Sequence, residues 1–172
     1  MGLRGTVPQT DAMVSTLFAS IDGLPLHPLV IHAVVVLVPL TTLGAVLVAA
    51  RRRWAPTFGP LVAAGAVASA LAALVAQRAG NSLEEVLGYT GEPAELIQEH
   101  GRYGLYVVNL SVAFAVVSVA SLVLTSRLGA GTRWPRVLAW LAAALGVAAT
   151  VFTVLAGETG AESVWGYVYG EP

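Results

Sequence analysis

The stretch Leu24-Pro25-Leu26-His27-Pro28 runs directly into 29–50, LVIHAVVVLVPLTTLGAVLVAA, and this junction decides the fold. Segment 29–50 contains no Asp, Glu, Lys or Arg, and it is close to the ~20 residues that an α-helix needs to cross a hydrocarbon core. Pro28 suits the first turn of such a helix, where its missing N–H costs no hydrogen bond. The sequence therefore predicts a membrane-spanning helix with His27 and His32 near its start.

The composition of the whole chain is that of an integral membrane protein. It is 56% hydrophobic and 11% charged, with a mean hydropathy of +0.76, whereas about 25% of the residues in a soluble domain are charged. Three further apolar segments carry no charge, and they are 58–76, 103–126 and 137–156. Short connections make consecutive helices antiparallel neighbours. We therefore predict an all-α membrane protein, a four-transmembrane-helix up-down bundle.

Three regions follow along the chain. Residues 1–23 lack the apolar core and cleavage site of a signal peptide, and the apolar spacing after Asp11 predicts a short helix lying in the membrane interface. Residues 24–156 form the transmembrane domain, with spans at about 29–50, 58–76, 103–126 and 137–156. Residues 157–172 form an outer aromatic tail, which we expect to fold back over the outer face.

Charge is distributed unequally between the two sides of the predicted membrane. Two short loops hold six of the nine cationic residues, namely Arg51, Arg52, Arg53, Arg127, Arg133 and Arg136. The positive-inside rule makes both loops cytoplasmic and places both termini outside. All nine cations are arginine and alanine is abundant, a composition that favours a bacterial source. The predicted location is a multi-pass protein of the bacterial cytoplasmic (inner) membrane.

Small residues and a weak internal repeat predict how the helices pack. Residues four apart, such as Gly65 with Ser69, Ala66 with Ala70 and Ala142 with Gly146, allow close helix contact within a membrane. Spans two and four both end in Ala-x-x-x-Gly, at 76–80 and 156–160, while spans one and three begin near a histidine. The pattern indicates two copies of a helical hairpin, which would place His32 and His100 at the same depth.

The chain also resembles a known family. The residues that carry the likeness are His27-Pro28-Leu29-Val30-Ile31-His32, the later His100, and Tyr167-Val168-Tyr169-Gly170. They resemble the four-span bacterial membrane family catalogued as domain of unknown function number 2231, over 24–170. Members commonly have an aromatic residue and a proline soon after the second histidine, whereas here the proline is delayed to Pro39. Some relatives are joined to, or encoded near, cytochrome-type redox proteins, so the resemblance implies a link to haem.

The histidines are the candidate cofactor ligands. Opposing imidazoles from two helices of a bundle can hold haem iron, and we expect His32 and His100 to be the axial pair with His27 in support. Gly101 and Gly104 would admit the flat macrocycle, and Arg102 would pair with a propionate. The chain has no cysteine, which excludes thiolate ligands and covalent haem attachment. The predicted cofactor is therefore haem b, with a role in electron transfer.

Two alternatives stay open at this point. His27, His32 and His100 with Glu99 or Glu95 would form a nitrogen-and-oxygen site for zinc or copper(II). The chain would otherwise be a cofactor-free accessory or scaffold subunit of a larger membrane complex. The expected partners are the lipid bilayer, a membrane redox complex or a basic soluble cytochrome, and a second copy of the chain. The sequence predicts no catalytic residues and no nucleic-acid surface.

Overall fold

The computed structural model describes residues 20–21, 24–87 and 92–169. Two short antiparallel strands, β1 and β2, pair Ser20 with Pro25 and Ile21 with Leu24 ahead of the first helix. In the described part, four helices are long and apolar enough to cross a membrane. The elements are β1 Ser20–Ile21, β2 Leu24–Pro25, α1 Leu26–Ala50, α2 Ala55–Leu87, α3 Glu92–Leu128 and α4 Arg133–Tyr169, with a 3-10 turn at Arg52–Trp54. The predicted all-α bundle is confirmed.

The helices are longer than the apolar segments that predicted them. Helix α3 begins at Glu92, so the residues ahead of Tyr103 belong to the same helix as span three. Helix α4 continues to Tyr169 instead of ending near Ala156, so the described part of the tail does not fold back over the bundle. No proline interrupts 157–169, and nothing in that stretch stops the helix. Of residues 1–23 the structure describes only Ser20 and Ile21, which form β1. The interfacial helix predicted after Asp11 therefore lies outside the described residues.

The four helices form a closed ring. Each helix packs against the next along the chain, and α1 closes the ring by packing against α4. Helices α1 and α3 are therefore diagonal partners, as are α2 and α4. One end of the bundle carries His27 and His100 and is called the histidine end here. The opposite end is formed by the loops 51–54 and 129–132 and is called the arginine end.

Small residues bring the helix backbones together, as predicted. Ala66, Ala70 and Ala142 are buried in one of the two core clusters. Two consecutive threonines of α1 fit against glycines of its neighbours: a Cβ placed on Gly65 would lie 2.7 Å from Thr41 Oγ1, and one on Gly146 would lie 2.7 Å from Thr42 Oγ1. Helix α1 can approach both α2 and α4 only because these positions lack side chains.

Hydroxyl groups inside the bundle mostly bond to backbone carbonyls. Thr42 Oγ1 donates to Val38 O at 2.8 Å, within its own helix. Ser121 Oγ donates to Pro135 O at 3.1 Å and so joins α3 to α4. Within the described residues the buried hydroxyls of Ser111 and Ser118 have no partner. Ser118 lines a cavity of about 30 Å³ near the arginine end, which can hold water.

The two loops of the arginine end contact each other. The guanidinium of Arg52 donates to Ala130 O, at 3.2 Å from Nη2, and also to Gly131 O. Gly129 ends α3 with φ +80°, a left-handed conformation that L-residues disfavour. Its N–H donates to Thr125 O at 3.0 Å, so the turn satisfies one of the free carbonyls at the end of the helix.

Replacing Gly129 by alanine should lower the free energy of unfolding by about 1–2 kcal/mol, because a side chain in the left-handed region clashes with the following carbonyl. Gly131→Ala is the matched control, since a Cβ there meets nothing within 4 Å and no left-handed φ is involved. Denaturation in detergent micelles measures both changes. Equal destabilisation by the two substitutions would contradict the turn geometry.

Candidate functional site

The side chain of His27 is seated on the neighbouring helix. His27 lies at the start of α1, and its Nδ1 is 2.8 Å from the backbone carbonyl oxygen of Ala76 on α2. A Cβ added to Gly80 would lie 3.0 Å from the Cε1 and Nδ1 atoms of the ring. The imidazole therefore packs directly on the α2 backbone, and Gly80 leaves the space for it.

His100 repeats this arrangement on the other two helices. Its Nδ1 is 2.8 Å from the carbonyl oxygen of Ala156, and a Cβ on Gly160 would lie 3.0 Å from the Cε1 and Nδ1 atoms of its ring. Ala156 and Gly160 each follow their counterparts on α2 by 80 residues. The Ala-x-x-x-Gly repeat seen in the sequence is thus the seat of a histidine, once in each hairpin.

The two seated imidazoles meet across the bundle. The ring centroids of His27 and His100 are 5.7 Å apart and the ring planes are at 87°. The two residues come from α1 and α3, which are diagonal helices, so the pair spans the bundle axis at the histidine end. Both side chains are half-buried. We call these two residues the histidine pair.

The seats also determine which ring nitrogen carries the proton. A carbonyl oxygen only accepts hydrogen bonds, so each Nδ1 must be protonated and donate to its alanine carbonyl. A neutral imidazole with a proton on Nδ1 has an unprotonated Nε2 with a free lone pair. Donation from one ring nitrogen to a backbone carbonyl is the usual support for a histidine that binds metal through the other. Both members of the histidine pair have this arrangement.

His32 lies elsewhere, so the predicted pairing of His32 with His100 is corrected. The side chain of His32 is exposed on α1, and its Nδ1 is 2.6 Å from Pro28 O of the same helix. Residues five apart on a helix point about 140° away from each other. When His27 faces the bundle axis, His32 must face outward. His27, which had been given the supporting role, is the residue that reaches His100.

The other predicted pocket residues do not surround the histidine pair. A Cβ on Gly101 or Gly104 would meet nothing within 4 Å, so these glycines border open space and not another helix. Arg102 is exposed, and its Nη2 lies 3.1 Å from Glu99 Oε1. The hydroxyl of Tyr103 donates to the same oxygen at 3.0 Å. Glu99 is therefore engaged with its own helix and is not directed at the pair.

The described residues contain no group of three or more His, Cys, Asp or Glu side chains that could hold a metal ion. The predicted four-ligand set fails because His32 faces outward and Glu99 binds Arg102 and Tyr103. Glu95 is exposed on α3. Within this part of the chain, the donors available to a shared ligand are the two Nε2 atoms of the histidine pair.

Comparison with known proteins agrees with the membrane architecture. Residues 23–171 match the family described as "Predicted membrane protein (DUF2231)". The chain belongs to this family. The matched range of DUF2231 includes both histidine seats and all four helices, and the family description specifies a membrane protein without an activity. No curated protein and no solved structure matches the chain.

Sequence reasoning found the components of this site but paired them incorrectly. The repeat, the three histidines and the Ala-x-x-x-Gly segments were all visible. His32 was preferred because it lies deeper in the span. The two Ala-x-x-x-Gly segments stand at equivalent positions on α2 and α4, so each can accept a histidine from the preceding helix in the same way. This equivalence was the signal that points to His27 and His100.

Gly160→Ala should destabilise the protein by about 1–3 kcal/mol, because the new methyl group forces the ring of His100 out of its seat. In a His100→Ala background the same change should cost nothing further, since the ring it would displace is absent. Thermal unfolding of the four variants in detergent measures this coupling.

Gly157→Ala is the control for that experiment, because a Cβ at Gly157 meets nothing within 4 Å. This change should be neutral or slightly stabilising, as alanine is the better helix former. A penalty for Gly160→Ala that is the same with and without the His100 ring would show that the seat does not exist.

Proposed function

We propose that the protein binds haem b at the histidine end of the bundle and takes part in membrane electron transfer, with His27 and His100 as the two axial ligands. The observation that carries this proposal is the histidine pair, two imidazoles from diagonal helices with ring centroids 5.7 Å apart. Cofactor sites in helix bundles are commonly built in this way, from side chains on facing helices.

The donor set suits a haem iron. Each Nδ1 donates to a carbonyl at 2.8 Å, which fixes the ring orientation and makes the free Nε2 a better donor. Imidazole nitrogens lie about 2 Å from a bound transition metal, and the closeness of the two rings, with centroids 5.7 Å apart, supports the proposal that both bind the same iron. Gly80 and Gly160 leave the space that the His27 and His100 rings themselves occupy, which keeps both rings in these orientations.

Haem held by two histidines supplies one-electron transfer, and its potential depends on axial ligands, hydrogen bonds and burial. In this chain the seats hold both imidazoles in a fixed orientation, and the half-buried position of the pair keeps it partly accessible from the end of the bundle. An electron could therefore be exchanged at that end without crossing the apolar middle of the bundle.

The surface around the histidine end favours a basic electron-transfer partner. Carboxylates lie along the ends of α2, α3 and α4 that extend beyond the apolar segments, and they are Glu84, Glu85, Glu95, Glu99, Glu158 and Glu162. Complementary charge increases the rate at which two proteins meet and orients the encounter. A soluble cytochrome with a basic face has the chemistry that this surface would attract.

The purified protein, expressed with haem precursor supplied, should show a Soret band and a sharp alpha band when reduced with dithionite. His27→Ala and His100→Ala should each abolish or strongly reduce these bands, because each removes an axial ligand. His32→Ala is the matched control and should keep the spectrum, since its ring faces away from the pair.

Loss of the bands in His32→Ala, with retention in the other two variants, would overturn the assignment of the ligands. A colourless wild-type protein that retains a bound transition metal would replace haem with a metal site on the same histidines. A colourless protein without metal would contradict the proposal and favour the accessory-subunit function.

A further inference from the structure

The arginine end carries a second duplicated feature that the histidine site does not use. The residues Arg53 and Trp54 come directly before α2, and Pro56 is the second residue of that helix. Helix α4 begins with Arg133-Trp134-Pro135. Trp54 and Trp134 are 80 residues apart, the same offset that separates the two histidine seats. The Arg-Trp element therefore belongs to the same repeat and occurs once at the start of each even-numbered helix.

An arginine lies over each tryptophan ring, but from a different position in each copy: the counterpart of Arg133 by the 80-residue offset is Arg53, whereas the arginine over Trp54 is Arg51. The guanidinium carbon of Arg51 is 4.8 Å from the Trp54 ring centroid, and that of Arg133 is 5.6 Å from the Trp134 ring centroid. Stacking of this kind holds a guanidinium in place while its N–H groups remain available to bind an anion. Both arginines are exposed.

An exposed apolar surface continues from each pair toward the middle of the bundle. On α2, Phe58 and Leu61 lie one and two turns beyond Trp54 on the same helix face, and they are 45% and 70% exposed. On α4, Val137 and Leu141 lie three and seven residues beyond Trp134, and both are 46% exposed. Each site thus presents a cationic group at the end of an apolar helix face.

Within the described residues no carboxylate forms an ion pair with Arg51 or Arg133. The sequence has no Asp or Glu between Asp22 and Glu84, and none between Glu99 and Glu158. The ion pair found among the described residues joins Arg102 to Glu99 on α3, near the histidine end. Arg52 is bonded to the carbonyls of the 129–132 loop, whereas Arg51 and Arg133 have no carboxylate partner among the described residues.

We propose that the two Arg-Trp sites bind anionic phospholipids of the adjacent leaflet, with the lipid phosphate on Arg51 or Arg133 and the acyl chains along the apolar face below. A guanidinium matches phosphate geometry, and tryptophan and arginine at the end of an apolar span lie at the depth of the headgroups. A soluble anion would use only the arginine, whereas a phospholipid also covers the exposed apolar face.

The test measures lipid that the intact protein retains. The protein is reconstituted with equal amounts of phosphatidylglycerol and phosphatidylcholine, extracted gently into detergent, and weighed by native mass spectrometry. Wild type should retain phosphatidylglycerol preferentially, with up to two tightly bound molecules. Arg51→Gln combined with Arg133→Gln should lower this retention several-fold.

Arg127→Gln combined with Arg136→Gln is the matched control. It removes the same charge from two exposed arginines of the same end that do not lie over a tryptophan ring, and it should leave most of the retention intact. Trp54→Leu combined with Trp134→Leu keeps every charge and should still weaken phosphatidylglycerol retention. This variant separates the effect of stacking from that of charge. It also tests the proposal if the arginine variant folds poorly.

Equal loss in the two arginine variants would overturn the proposal, because the attraction would then be a diffuse surface potential. Equal retention of the two lipids by wild type would overturn it as well. Displacement of phosphatidylglycerol by millimolar inorganic phosphate would show that only the headgroup is recognised and would contradict a role for the apolar face.

Discussion

The hydrogen bond from a histidine Nδ1 to a backbone carbonyl of the next helix is the interaction on which the histidine end depends. In an α-helix the carbonyl of Ala76 already accepts the N–H four residues later, which belongs to Gly80. A second donor can reach that carbonyl only where the neighbouring position has no side chain. Histidine, alanine and glycine therefore act as one unit, and the unit occurs twice, at 2.8 Å in both copies.

Duplication explains why both ends of the bundle carry paired features. Two similar hairpins packed with α1 diagonal to α3 must bring their equivalent positions together around the bundle axis. At the histidine end the equivalent positions are imidazoles whose ring centroids are 5.7 Å apart. At the arginine end the equivalent positions are Trp54 and Trp134, each with an arginine over its ring. A single repeat thus generates one central site and two peripheral ones.

The sequence predicted the architecture because the membrane leaves few alternatives: uncharged segments near the thickness of the bilayer must be helices that satisfy their own backbone. The sequence did not predict how α1 is rotated about its own axis. The depth of His32 could be inferred from its position in the span, but the direction in which its ring points could not. The prediction also ended α4 at Ala156, because the loss of hydropathy there was read as the end of the helix. Which side each terminus faces stays a prediction from the arginine distribution.

The most direct measurement of the central claim is solid-state NMR of the protein in lipid bilayers with only its histidine rings labelled with ¹³C and ¹⁵N. The chain has three histidines, so three ring signals are expected and a His32→Asn sample identifies one of them. We expect a through-space contact between the rings of His27 and His100, both protonated at Nδ1. A contact between His32 and His100, or no contact between any two rings, would contradict it.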